Sequence, residues 1–115
     1  MINGVHALIY SEQADKVRAF FRDVLEFRSV DAGHGWLIFA LPPAELGIHP
    51  GQGSTGLYLM CDDITRTVEQ LKKKGVEFTR SIADEGFGLV TGIKLPGGGE
   101  IGLYQPKHPT ALNLS

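Results

Sequence analysis

Apolar and polar positions change period several times along the chain, and each change marks an element. Val5-His6-Ala7-Leu8-Ile9-Tyr10 is an apolar run of strand length. Ser11 carries the short hydroxyl of a helix N-cap. After it, Ala14, Val17, Phe20, Phe21, Val24 and Leu25 recur at helical spacing with charges between them, which predicts a helix over 12–25. Strands are predicted over 28–31, 36–41 and 45–49, bounded by Gly33-His34-Gly35 and Pro42-Pro43, residues with turn chemistry. A further strand over 55–60 leads to Asp62 and Asp63, either able to cap a helix. Ile64, Val68 and Leu71 then mark one helix face, and Gly75 supplies a left-handed stop. Strands over 77–82, 89–95 and 100–105 complete the pattern, with Asp84-Glu85-Gly86 and Gly97-Gly98-Gly99 as turns.

The pattern occurs twice. Leu41-Pro42-Pro43-Ala44-Glu45-Leu46-Gly47-Ile48-His49-Pro50 returns as Leu95-Pro96-Gly97-Gly98-Gly99-Glu100-Ile101-Gly102-Leu103-Tyr104-Gln105-Pro106. Both read Leu-Pro, a turn, Glu-apolar-Gly-apolar-aromatic and a closing proline. Leu25-Glu26-Phe27 likewise pairs with Val76-Glu77-Phe78. Such self-similarity predicts an α+β chain of two βαβββ units, one at about 1–50 and one at about 55–106. Pro50-Gly51-Gln52-Gly53-Ser54 forms a polar hinge between them, and an irregular tail covers 107–115. At 115 residues the whole is expected to be a single domain.

Charge narrows the partners. The formal net charge is -2, and the one basic cluster, Lys72-Lys73-Lys74, falls at a predicted helix C-terminus, where cations complement the dipole. No basic stripe suits nucleic acid. No apolar stretch has bilayer-spanning length, the opening has no signal-peptide pattern, and the single cysteine, Cys61, has no internal partner. These features set the expectation of a cytoplasmic protein in which Cys61 is a small hydrophobe at a strand end.

Phe20-Phe21-Arg22-Asp23-Val24-Leu25-Glu26-Phe27 resembles the Phe-Tyr-x-x-x-Leu-Gly-Phe phrase of the glyoxalase, bleomycin-resistance and extradiol-dioxygenase proteins, the vicinal oxygen chelate superfamily. Pro96-Gly97-Gly98-Gly99-Glu100-Ile101-Gly102-Leu103 resembles that family's Pro-Asp-Gly-Asn-x-Ile-Glu-Leu. The resemblance implies U-shaped mixed sheets that enclose a cavity, a homodimer, and a divalent metal (Zn, Ni, Fe or Mn) held by residues of the first and last strands. His6 stands at one of the implied ligand positions. Gly56, Gly102 and, through the internal repeat, Gly47 stand at the others, and glycine has no donor side chain.

Alternation along a strand puts Glu45 and His49 on the face of Gly47, and Glu100 and Tyr104 on the face of Gly102. His6, His49 and Glu100 therefore make a shifted candidate metal set, and His6 and His49 are the candidates for acid–base catalysis near neutral pH. The glycines point instead to a roomier, metal-free cavity for a small organic molecule. Trp36, Phe39, Tyr58 and Tyr104 would wall it, with His6, His49 and Glu100 as its polar groups. Core packing is at least as good an account of Trp36 and Phe39. His34, in a glycine turn, and His108, in the tail, are expected to be exposed and inert. Metal-free binding is the preferred reading. A metal-dependent lyase or dioxygenase using His6 and His49, and a non-catalytic interaction module, are the alternatives.

Overall fold

A computed structural model describes residues 6–47, 50 and 56–112. The second half runs strand, helix, then three strands. Strand β3 (Tyr58–Met60) is followed by helix α2 (Ile64–Lys73) and then by β4 (Ala83–Asp84), β5 (Gly88–Lys94) and β6 (Glu100–Pro106). The sheet order is β3-β6-β5-β4, with β3 parallel to β6 and the other pairs antiparallel. A crossover helix between β3 and the later strands is what allows a parallel pair beside two antiparallel ones.

Local chemistry sets the ends of these elements. The Asp63 side chain accepts the Arg66 N–H at 3.1 Å and so caps α2. At the other end Gly75 takes φ +86°, and its N–H donates to the Lys72 carbonyl. The β5–β6 hairpin turns on Gly97, Gly98 and Gly99, with φ of +81°, +108° and +82°. A side chain would strain all three.

The first half is less regular than its pattern. Helix α1 covers Ala14–Ala19 and runs into a π-turn, Phe20–Val24, closed by the Leu25 N–H on the Phe20 carbonyl at 3.1 Å. The wider turn lets the adjacent Phe20 and Phe21 both face inward, where they lie edge to face at 5.9 Å. Its cap is also displaced: Gln13 occupies the N-cap position, and the Ser11 hydroxyl accepts the Gln13 N–H at 3.1 Å. Strands β1 (Ser29–Asp31) and β2 (Leu37–Phe39) make a two-stranded antiparallel sheet.

Three predicted strands change. Residues 6–10 and 45–47 pair with no strand among the described residues; the rest of those two predictions, including His49, lies outside them. Leu8, Tyr10 and Leu46 are exposed. The predicted strand over 77–82 is reduced to a bridge between Phe78 and Ile93, and the edge strand begins later, at Ala83. A strand exists only by hydrogen bonding to a neighbour, so an apolar run without one stays irregular.

The core lies between the helices and one face of the four-stranded sheet. Val17, Phe20 and Phe21 from the first half meet Ile64, Val68, Val76, Ile93, Leu95, Ile101 and Leu103 from the second. Alternation along β6 is strict: Ile101 and Leu103 are buried against the helices, so Glu100, Gly102 and Tyr104 look out on the opposite face. That opposite face carries the candidate site.

Candidate functional site

Register brings glycine together on the outer face of the sheet. Gly92 on β5 stands directly across from Gly102 on β6, and Gly102 is also the register partner of Tyr58 on β3. Each glycine makes room for a particular neighbour. A Cβ on Gly102 would fall within the Tyr58 ring, so that ring lies on the bare backbone. A Cβ on Gly92 would meet the Glu100 carboxylate and the Thr79 hydroxyl, which donates to Glu100 Oε2 at 2.5 Å. At Gly88 it would come 2.7 Å from the Gln105 carbonyl and 3.2 Å from the Tyr104 ring. Side-chain-free backbone here serves as a seat for aromatic and polar groups.

On this seat an aromatic cluster assembles. Tyr58 and Tyr104 are edge to face at 5.6 Å, and Phe87 meets Tyr104 at 6.1 Å. His108 covers another side of Tyr104 at 6.0 Å, with its Nε2 3.5 Å from the phenol oxygen. Tyr58 and Phe87 remain 48% and 46% exposed, so about half of each residue's surface is open to solvent. Beside Tyr58 is a hollow of about 150 Å³ lined by Gly56, Arg80, Gly92, Glu100 and Gly102 among others. Whole-ligand pockets measure about 300–1,000 Å³, so this hollow would admit only one end of an organic molecule.

The tail is held against the same face. The Lys107 ammonium pairs with Asp84, and the Lys107 N–H donates to the Phe87 carbonyl at 2.9 Å. Lys107 and the Gly86 N–H hold the Asp84 carboxyl below its usual range. Further along, the Ala111 N–H donates to Glu45 Oε2 at 2.7 Å. Burial pushes the Tyr104 phenol up, and the nearby Glu45 carboxylate and Tyr58 add to that shift.

The sequence-derived candidates divide. Tyr58, Tyr104 and Glu100 share this face, as alternation required. Phe39 instead packs on Phe21 at 5.7 Å beside the core, and Trp36 is 67% exposed at the start of β2. His6 is exposed, and His49 lies outside the described residues. His34 is exposed in its turn at φ +56°. His108, expected to be exposed and inert, is half-buried on Tyr104; a tail without periodicity gave no sign of that contact. Phe87 and Arg80 also escaped notice, since each sits beside a turn or bridge whose direction only pairing decides. Cys61 follows β3, its thiol donates to the Tyr104 carbonyl at 3.6 Å, and burial raises its pKa, which disfavours a nucleophilic thiolate.

The fold and the sequence together define a class. Residues 5–103 match the model of the Glyoxalase/Bleomycin resistance protein/Dioxygenase superfamily, and the chain belongs to that superfamily. An antibiotic-binding protein from a Streptomyces species is 25% identical, with a TM-score of 0.68 over 92% of this chain and 98% of that one. A superfamily member from Sphaerobacter thermophilus is 24% identical, with a TM-score of 0.63 over 90% and 98%. Lactoylglutathione lyase from Agrobacterium tumefaciens shares the fold at 14% identity, with a TM-score of 0.65 over 90% and 92%. Curated protein sequences give no significant match.

Superfamily membership raises the question of a divalent metal, and the described residues do not fit one. Gly102 offers no donor, and the space its side chain would need is filled by the Tyr58 ring. Glu100 Oε2 is engaged by Thr79, and no group of three or more His, Cys, Asp or Glu residues converges among the described residues. No helix of the described residues is long and apolar enough to cross a membrane.

Proposed function

We propose that this chain is a binding protein that holds a small organic molecule against the Tyr58, Tyr104 and Phe87 rings, without a metal. The observation that carries this reading is the Tyr58 ring seated on Gly102. It puts an apolar, half-exposed surface where the family resemblance calls for a chelating carboxylate. Aromatic faces with a few polar groups at one end are the usual composition of an organic-ligand site. The likeness to an antibiotic-binding protein, at 25% identity over nearly the whole of both chains, supports the same class of ligand.

A thermal-shift screen with planar aromatic compounds tests it. Hits should persist in the chelator ethylenediaminetetraacetate and weaken roughly tenfold or more in Tyr58→Ala, through loss of an aromatic contact. Hits abolished by chelator would support the metal-dependent lyase or dioxygenase reading with His6 and His49. A screen without hits would leave the interaction-module reading.

The assembly we propose is a homodimer, in the cytoplasm. Val30 and Ile38 are register partners in the two-stranded sheet, Trp36 stands two residues before Ile38, and all three expose large apolar side chains. Clustered apolar surface of this kind favours a protein partner, and a second copy of the chain is the commonest one. Light scattering should give twice the chain mass at micromolar concentration, and Trp36→Lys with Ile38→Lys should give the monomer. A wild-type monomer would refute it.

A further inference from the structure

Two glycines paired across strands set an aromatic ring beside a carboxylate. Gly92 and Gly102 are register partners, with the Tyr58 ring on Gly102 and the Glu100 carboxylate over Gly92. Residues directly opposite on a strand pair lie about 4.5–5.5 Å apart, so ring and carboxylate are neighbours. Thr79 holds the carboxylate in place. Its N–H donates to the Gly92 carbonyl at 2.9 Å, and its hydroxyl donates to Glu100 Oε2 at 2.5 Å. A carboxylate has about four lone-pair sites, so Glu100 keeps capacity at Oε1 for a ligand donor.

Arg80 follows Thr79 and brings the opposite charge to the same hollow. Its carbonyl accepts the hydroxyl of the buried Thr91 at 2.6 Å, which anchors its backbone to β5. Its side chain is long enough to cross a hollow of about 150 Å³, and five N–H donors can serve a ligand even when some are engaged elsewhere. Among the described residues no ion pair joins Arg80 to Glu100, so a donor and an acceptor line one small hollow without closing on each other. The stretch leading into Gly56, Gly51-Gln52-Gly53-Ser54-Thr55, contains no charged residue.

The two signs of charge decide what enters. A carboxylate that reached Arg80 would stand against Glu100, and an ammonium on Glu100 would stand against Arg80, each a repulsion at short range. A neutral group that presents a donor and an acceptor side by side satisfies both. An amide edge does so with only a few heavy atoms, which suits a hollow that admits one end of a molecule.

We propose that the end of the ligand in this hollow is a carboxamide or lactam edge on a planar ring: its N–H donates to Glu100 Oε1, its carbonyl accepts from Arg80, and the ring lies against Tyr58. The proposal rests on the small-molecule-binding reading above and adds the group that is recognised.

Four naphthalene probes, titrated into the full chain and followed by ligand-observed nuclear magnetic resonance, test it. They are 2-naphthamide, its isostere 2-acetonaphthone, in which a methyl replaces the amide nitrogen, and the charged analogues 2-naphthoate and 2-naphthylmethylammonium. The amide should bind about tenfold more tightly than the ketone, and more tightly than either charged probe. In Glu100→Ala the ratio of amide to ketone should fall to about one. Arg80→Ala should instead weaken amide and ketone alike, by about 3- to 10-fold, and keep the ratio, because both probes carry the carbonyl. Equal binding of amide and ketone by wild type overturns the assignment, as does a charged probe that binds best or a ratio unchanged in Glu100→Ala. Ketone binding in Arg80→Ala equal to wild type overturns the role of Arg80. Binding of amide and ketone that is equal in wild type and lost in Tyr58→Ala leaves the binding reading standing and removes only the amide. Binding of none of the four by wild type overturns both. The ratio is measured within one protein, so partial loss of fold in a variant affects both probes alike.

Discussion

Ile93→Ala should lower the free energy of unfolding by about 2–5 kcal/mol, the range for removing a fully enclosed aliphatic side chain. Ile93 has 0% exposure, stands across from Ile101 in β5–β6 and bridges to Phe78, so the cavity left behind has walls on every side and little freedom to collapse. In a domain whose total stability is of the order of 5–15 kcal/mol, that is a large share. Leu8→Ala, where the side chain is 64% exposed, should change the free energy of unfolding by less than about 0.5 kcal/mol. Urea unfolding followed by circular dichroism measures both. A cost below about 1 kcal/mol at Ile93 would mean that the core does not lie between α2 and the four-stranded sheet.

The second large effect is expected at Gly102. Gly102→Glu restores the carboxylate that the superfamily pattern calls for, yet it should bind no metal and should abolish most organic-ligand binding. Any Cβ at this position falls within the Tyr58 ring, so the ring must leave its seat and the Tyr58–Tyr104 pair comes apart. Loss of the stacking surface should weaken aromatic ligands by about 10- to 100-fold, equivalent to about 1.4–2.8 kcal/mol. A double-mutant cycle isolates the cause. Once Tyr58→Ala has removed the ring, the further change Gly102→Glu should cost little in stability, whereas in wild type it costs more; the difference is the coupling between the two positions. Additive effects, or full ligand affinity in Gly102→Glu, would show that Tyr58 does not depend on the bare backbone beneath it.

Much of the second half was legible in the sequence because its signals are local. Asp63 caps α2, Gly75 stops it, and Gly97-Gly98-Gly99 turns the β5–β6 hairpin, each through the conformational preference of the residue itself. Alternation also put Glu100, Gly102 and Tyr104 on one face. The same reasoning was less successful in the first half. An apolar run over 5–10 has strand composition, but His6 to Tyr10 pair with no strand among the described residues, and composition cannot provide one.

For the candidate site, the missing ligand side chains were visible as Gly47, Gly56 and Gly102, and their absence suggested spare volume. Over Gly102 the structure fills that volume with Tyr58, and over Gly92 with Glu100 and Thr79. Phe87 and His108 joined the site unannounced, and Phe39 went to the core. These outcomes depend on side-chain packing between segments far apart in sequence.

The sequence by itself determined the α+β class, the caps and turns of the second half, and the glycines at the three positions where the family resemblance implies ligands. Each is a property of single residues or of spacing along one segment, where backbone preference and the two-residue strand period act without help. Only the tertiary structure decided what occupies the space left by those glycines, because cross-strand register sets Tyr58 on Gly102 and the tail carries Ala111 to Glu45. Long-range pairing and close packing turn an absence in the sequence into an aromatic face.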